Sequence, residues 1–222
     1  MPQISASLLA ADPACLGEEI RQATQAGVDS FHFDWMDGHY VPNLAFAPDH
    51  LAALRRLTNL PFIVHLELNN PDVLLDTFRP FAADLIIACL DTLPDPPRTL
   101  ERIRRRSAKA GVSLNPDEPL SRVESLLPEI DILLILGVFP GFGGQPMDAN
   151  TLRKVAEAAR LRDRLGLPLE LAVDGGVNLN NAPALIEAGV DTLVVGTALF
   201  KAPEMKAYVN ELKGCAAGRH PR

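Results

Sequence analysis

An α/β protein folded as a single-domain (β/α)8 barrel is predicted by three observations. Eight short runs rich in Val, Ile and Leu recur along the 222 residues. Segments of helical period separate them, and polar or glycine residues fall at or just past the ends of the runs. Near-continuous apolar runs alternating with helices describe a parallel sheet covered on both faces. Eight such units in roughly 200 residues match the closed TIM barrel. An open doubly wound sheet is the alternative, but it would spread the polar residues along an edge. A barrel gathers them on one rim, where catalytic groups collect.

Taken in order, the apolar runs predict strands over 3–9, 28–34, 62–68, 84–89, 111–115, 130–137, 167–174 and 191–196. The intervening spacing predicts helices over 13–25, 48–57, 71–81, 97–109, 119–127, 148–164, 179–188 and 203–212. Asp12-Pro13 and Asn70-Pro71 carry the signal of a helix start, with proline at the first helical position. Gly27, Gly111, Gly166 and Gly189 fall where helices should stop. No low-complexity tract or linker interrupts the pattern. The barrel domain is therefore expected over residues 1–213, with 214–222 (GCAAGRHPR) as a frayed tail.

The composition narrows the function. Apolar residues make up 47% and charged residues 22%, which is ordinary for a globular protein. A net charge of −7 argues against nucleic acid or an anionic membrane as a general partner. The basic run RIRRR (102–106) reads as the solvated face of a helix. Cys15, Cys89 and Cys215 are odd in number and widely spaced, which suits a reducing compartment. The longest apolar run, 132–139, is too short to span a bilayer, and the start of the chain lacks a secretory pattern. The expectation is a cytoplasmic protein.

The chemistry centres on FHFDWMDGHYVPN (31–43). In a strand, side chains two apart point the same way, so His32 and Asp34 share one face while Phe31 and Phe33 take the other. His65 and Asp174 also fall at strand exits. Two imidazoles and two carboxylates on one rim suit Zn²⁺, Fe²⁺, Mn²⁺ or Co²⁺ and leave room for an oxygen-donating ligand. Asp34 and Asp174 lie on the second and seventh predicted strands, three steps apart around a barrel, and can approach a substrate from different sides. Two bases flanking one carbon are what epimerisation by proton exchange needs. The turns Pro140-Gly141-Phe142-Gly143-Gly144-Gln145, Asp174-Gly175-Gly176-Val177 and Gly196-Thr197-Ala198 let backbone N–H groups converge on an anion. They supply a phosphate site without a lysine cluster.

These motifs resemble those of the ribulose-phosphate 3-epimerases, metal-dependent barrel enzymes that interconvert ribulose 5-phosphate and xylulose 5-phosphate. ISASLLAAD (4–12) is similar to the family's ISPSILSAD, and FHFDWMDGHYVPN to its HxDxMDGxFVPN block. PFIVHLE (61–67), SLNP (113–116), FPGFGGQ (139–145) and VDGGVN (173–178) continue the resemblance, which runs over about 4–200. It implies that His32, Asp34, His65 and Asp174 bind one divalent metal and that Asp34 and Asp174 are the acid/base pair. Ser7 would contact the sugar, and Gly143, Gly144, Gly175, Gly176, Gly196 and Thr197 the phosphate, with Gly141 and Phe142 in the same loop. A homo-oligomer is the family habit.

The departures from the family are specific. Of three capping methionines only Met36 remains, with Glu67 and Leu136 at the other positions. Cys89 replaces a histidine, and Phe139 a polar residue. These four, Glu67, Cys89, Leu136 and Phe139, are candidate specificity positions. They leave open a different ketose phosphate, such as a hexulose 6-phosphate, or a relative that binds without turnover. The related decarboxylase and aldolase barrels place a lysine near paired aspartates, and DWMD (34–37) has none. Cys89 itself reads as buried and inert.

Overall fold

The computed structural model describes residues 1–77 and 83–215. The strands are β1 (Gln3–Ser7), β2 (Ser30–Asp37), β3 (Leu44–Ala45), β4 (Phe62–Glu67) and β5 (Leu85–Cys89). They continue with β6 (Lys109–Leu114), β7 (Ile132–Leu136), β8 (Glu170–Asp174) and β9 (Thr192–Val195). The helices are α1 (Leu16–Ala26), α2 (Pro48–Leu54), α3 (Pro71–Thr77), α4 (Pro96–Arg104), α5 (Thr151–Leu165), α6 (Ala182–Ala188), α7 (Thr197–Phe200) and α8 (Met205–Gly214).

The sheet order is β1-β9-β8-β7-β6-β5-β4-β2-β3, and parallel pairing of β1 with β2 closes the ring. β3 is an antiparallel appendage of β2, so eight parallel strands form the barrel. Strand parity sorts the side chains. Phe31, Phe33, Phe62, Val64 and Leu66 belong to the core between strands and helices, where Phe33 packs 4.8 Å from Phe62. Each such ring contributes about 1.5–3 kcal/mol by burial. The opposite parity fills the barrel with a separate cluster that includes Ile63, Ile87, Leu134, Ala172 and Val194. The polar residues of that same inward parity sit above this plug.

Several local expectations are corrected. Helix α1 starts at Leu16 because Asp12 accepts a hydrogen bond from the Ala14 N–H at 2.9 Å, and the chain turns through Pro13–Cys15 before the helix begins. Gly27, Gly166 and Gly189 do end helices in left-handed conformation. Gly111 does not; it lies within β6, where a Cβ would stand 2.3 Å from Ile132 Cγ2. The close strand–strand approach requires its missing side chain. The helix expected over 119–127 is instead a pair of 3₁₀ segments, Leu120–Arg122 and Glu124–Glu129. Leu120, Val123 and Leu126 recur every three residues, which is the 3₁₀ period.

The helix expected over 71–81 is described to Thr77, and its remainder lies outside the described residues. α8 carries through Gly214, while 216–222 of the expected tail also lie outside them. In the basic run, Arg102 pairs with Asp72 at 3.1 Å and Asp76 at 3.3 Å, and Arg105 with Glu101 at 2.6 Å. Arg105 fits the expected solvated face, whereas Arg102 is only 20% exposed and bridges α4 to α3. No described helix is long and apolar enough to cross a membrane.

Candidate active site

β2 runs to Asp37, three residues beyond the expected end, and carries His32, Asp34 and Met36 inward on one parity. Its register against β4 sets Asp34 beside His65 and Met36 beside Glu67. Asp174 ends β8, three strands away around the ring. The four predicted ligands therefore converge. His32 Nε2 lies 3.1 Å from Asp34 Oδ1 and 3.5 Å from Asp174 Oδ2, and His65 Nδ1 lies 3.3 Å from Asp34 Oδ1. One ligand atom from each of the four residues falls within 4.8 Å of the other three.

Two contacts orient this cluster. Ser7 Oγ donates to Asp34 Oδ2 at 3.1 Å, leaving Oδ1 for the centre. Ser113 Oγ lies 2.9 Å from His65 Nε2. With the Nε2 proton on that hydroxyl, the Nδ1 lone pair points at the cluster, as a metal ligand requires. Two nitrogens and two carboxylates converging on one point, three of the four residues fully or nearly fully buried, fit a divalent cation of the Zn, Fe, Mn or Co kind. Ser113 was not legible as a positioning residue, because its contact depends on the β6 register across two strands.

Electrostatics separates the two carboxylates. Burial opposes the charge on Asp34, but His32 and His65 beside it hold its carboxyl far below the usual range. Burial, with Asp34 adding to it against the pull of His32, pushes Asp174 up to about 7. Burial also disfavours a charge on His32, but Asp34 and Asp174 outweigh it and raise its pKa. For His65 burial prevails, and its pKa is lowered. Glu67 is raised well above the usual carboxylate range by burial and then by the charges of Asp34 and Asp174.

A cavity of about 270 Å³ opens on this cluster. Ser7, Asp34, Glu67 and Asp174 line it, with Met36 and Leu136 as apolar neighbours. Its far wall holds Gly141, Phe142, Gly143, Gly144, Gly175, Gly176, Gly196 and Thr197, so the three glycine turns meet at one place. Gly176 has φ +71, and a Cβ there would stand 2.6 Å from the Met147 N, so backbone fills the space a side chain would take. Asn43 Nδ2 donates to the Gly141 carbonyl at 2.7 Å, and Gln145 Nε2 to those of Phe139 and Phe142 at 3.0 and 2.7 Å. The first ties the loop after β7 to the loop after β2, and the other two brace the β7 loop internally.

Not every expected residue reaches the cavity. Phe139 is 55% exposed and outside the lining. Cys89 is buried behind the site, with Sγ 3.5 Å from His65 Nε2, and burial raises its thiol pKa well above the ordinary value.

Fold and site together define a class: a (β/α)8 barrel whose rim gathers two histidines and two carboxylates able to hold a divalent cation beside a glycine-lined cavity. The model of the ribulose-phosphate 3 epimerase family matches residues 3–200. The ribulose-phosphate 3-epimerase of Bacillus subtilis (strain 168) is 39% identical over 215 residues, covering 96% of this chain and 99% of its own. That of Escherichia coli (strain K12) is 39% identical over 211 residues, covering 95% and 94%. Among solved structures, KGPDC from Streptococcus mutans superposes with a TM-score of 0.70 at 13% identity, covering 97% of this chain and 97% of that one. At that identity it speaks to the fold alone. The chain belongs to the ribulose-phosphate 3-epimerase family.

Proposed function

We propose that the protein interconverts ribulose 5-phosphate and xylulose 5-phosphate by two-base proton transfer at C3. The observation that carries this reading is the pairing of Asp34 and Asp174 around His32, at 3.1 and 3.5 Å, from strands three apart around the ring. In the metal-free site their environments push the two carboxyls in opposite directions, which favours Asp34 as base and Asp174 as acid. Asp34, ionised, takes the C3 proton from one face, and the electron pair passes into the adjacent carbonyl to give an enediolate. Asp174, protonated, returns a proton to C3 from the opposite face. The two residues exchange protonation states, and the reverse reaction exchanges them back.

His32, Asp34, His65 and Asp174 would hold a divalent ion, which when bound would supply charge stabilisation for the developing enediolate oxygens. Ser7 holds Asp34 at its second oxygen and faces the sugar. The backbone of Gly143, Gly144, Gly175, Gly176, Gly196 and Thr197 receives the phosphate, and Gly141 and Phe142 border it. Met36 and Leu136 keep water from the reacting carbons. Fe²⁺, Mn²⁺, Co²⁺ and Zn²⁺ all suit the donor set, and self-association and a cytoplasmic setting belong to the same reading. The test is conversion of ribulose 5-phosphate to xylulose 5-phosphate by protein loaded with each of these metals in turn. Absence of product with all four contradicts the reading.

A further inference from the structure

We propose that Glu67 binds the C1 hydroxyl of the ketose phosphate and so determines which ketoses the site accepts. The assignment rests on the sugar-phosphate reading above. Glu67 is the last residue of β4, 3% exposed, and lines the cavity. Its Oε1 lies 3.4 Å from His65 Nδ1, whereas Oε2 is buried without a hydrogen-bond partner. A buried carboxyl oxygen left without a partner is costly, so a ligand group that bonds it gains where an apolar group would not.

Position in the ring identifies that ligand group. β4 stands four places from β8 among eight barrel strands, so it is diametrically opposite the strand that leads into Gly175 and Gly176. A substrate with its phosphate on the glycine turns and C3 between Asp34 and Asp174 directs its other end, C1, at the β4 wall. There the registered neighbour Met36 is apolar, and Glu67 carries the hydrogen-bonding group. Among the described residues, the ligand atoms within 4.8 Å of one another come from His32, Asp34, His65 and Asp174, without Glu67. Glu67 is thus placed as a substrate contact beside the metal position.

The test compares xylulose 5-phosphate with 1-deoxyxylulose 5-phosphate, which keeps the phosphate, the carbonyl and C3 but lacks the C1 hydroxyl. Metal-loaded wild type, Glu67→Met and Glu67→Gln are assayed for C3 epimerisation, and metal per chain is measured by elemental analysis. Wild type should lose about 10- to 100-fold in kcat/KM on the deoxy sugar. Glu67→Met should treat the two sugars within about threefold, and Glu67→Gln, whose amide still bonds a hydroxyl, should keep the discrimination. Metal content should be the same in all three.

Equal kcat/KM for the two sugars in wild type overturns the assignment whether or not the variants fold. So does a Glu67→Met variant that keeps the wild-type ratio, or a fall in metal content in both variants, which would make Glu67 a ligand. Wild type inactive on xylulose 5-phosphate itself contradicts the proposed function and removes this assignment with it.

Discussion

At the residue scale, Asp34 and Asp174 face the same imidazole yet hold protons differently. Asp34→Asn and Asp174→Asn each remove one proton carrier and one metal ligand, and epimerisation should fall by at least about 10³-fold in either variant by product assay. The displacement of Asp174 also predicts how metal affinity varies with pH. A proton on the Asp174 carboxyl competes with the metal for it, so affinity should be full above pH 7 and weaken as pH falls below it. Mn²⁺ titrations at pH 5.5, 6.5 and 7.5 check this, and a flat response contradicts it. The convergence of His32 and Asp34 was legible because strand parity alone sets it. The partnerless oxygen of Glu67 and the Ser113–His65 contact were not, since both depend on how neighbouring strands are registered.

At the element scale, the strands were legible from apolar runs, and most boundaries shifted by only a few residues. The misreadings come from residues with two physical uses. Glycine ends helices at Gly27, Gly166 and Gly189, but at Gly111 it lets β6 approach β7. Gly111→Ala places a methyl against Ile132 and its carbonyl, at 2.3 and 2.7 Å, and should destabilise the protein by about 2 kcal/mol. A urea midpoint unchanged from wild type would contradict that placement. The 3₁₀ segments before β7 went unrecognised because a period of three resembles one of 3.6 over two turns. α7, four residues long, is too short to show a period at all.

At the scale of the whole molecule, eightfold alternation was enough to anticipate the barrel, but ring closure through β1 and β2 leaves no mark in periodicity. The closed ring brings like charges together, and the metal-free protein should bear the cost. A raised carboxyl binds its proton more tightly in the folded state than in the unfolded one. Stability from Asp174 is therefore present below pH about 4 and lost as pH rises toward about 7, with a slope of up to about 1.4 kcal/mol per pH unit. In metal-free urea melts, the advantage of Asp174→Asn over wild type should grow between pH 4.5 and 6.5. A constant difference contradicts the assignment. The central claim, two-base proton exchange at C3, is tested most directly by NMR of ribulose 5-phosphate with metal-loaded protein in D₂O. The account predicts deuterium at C3 as xylulose 5-phosphate appears, with product formation lost in both Asp34→Asn and Asp174→Asn. Xylulose 5-phosphate formed without deuterium at C3, or undiminished product formation in either variant, would contradict it.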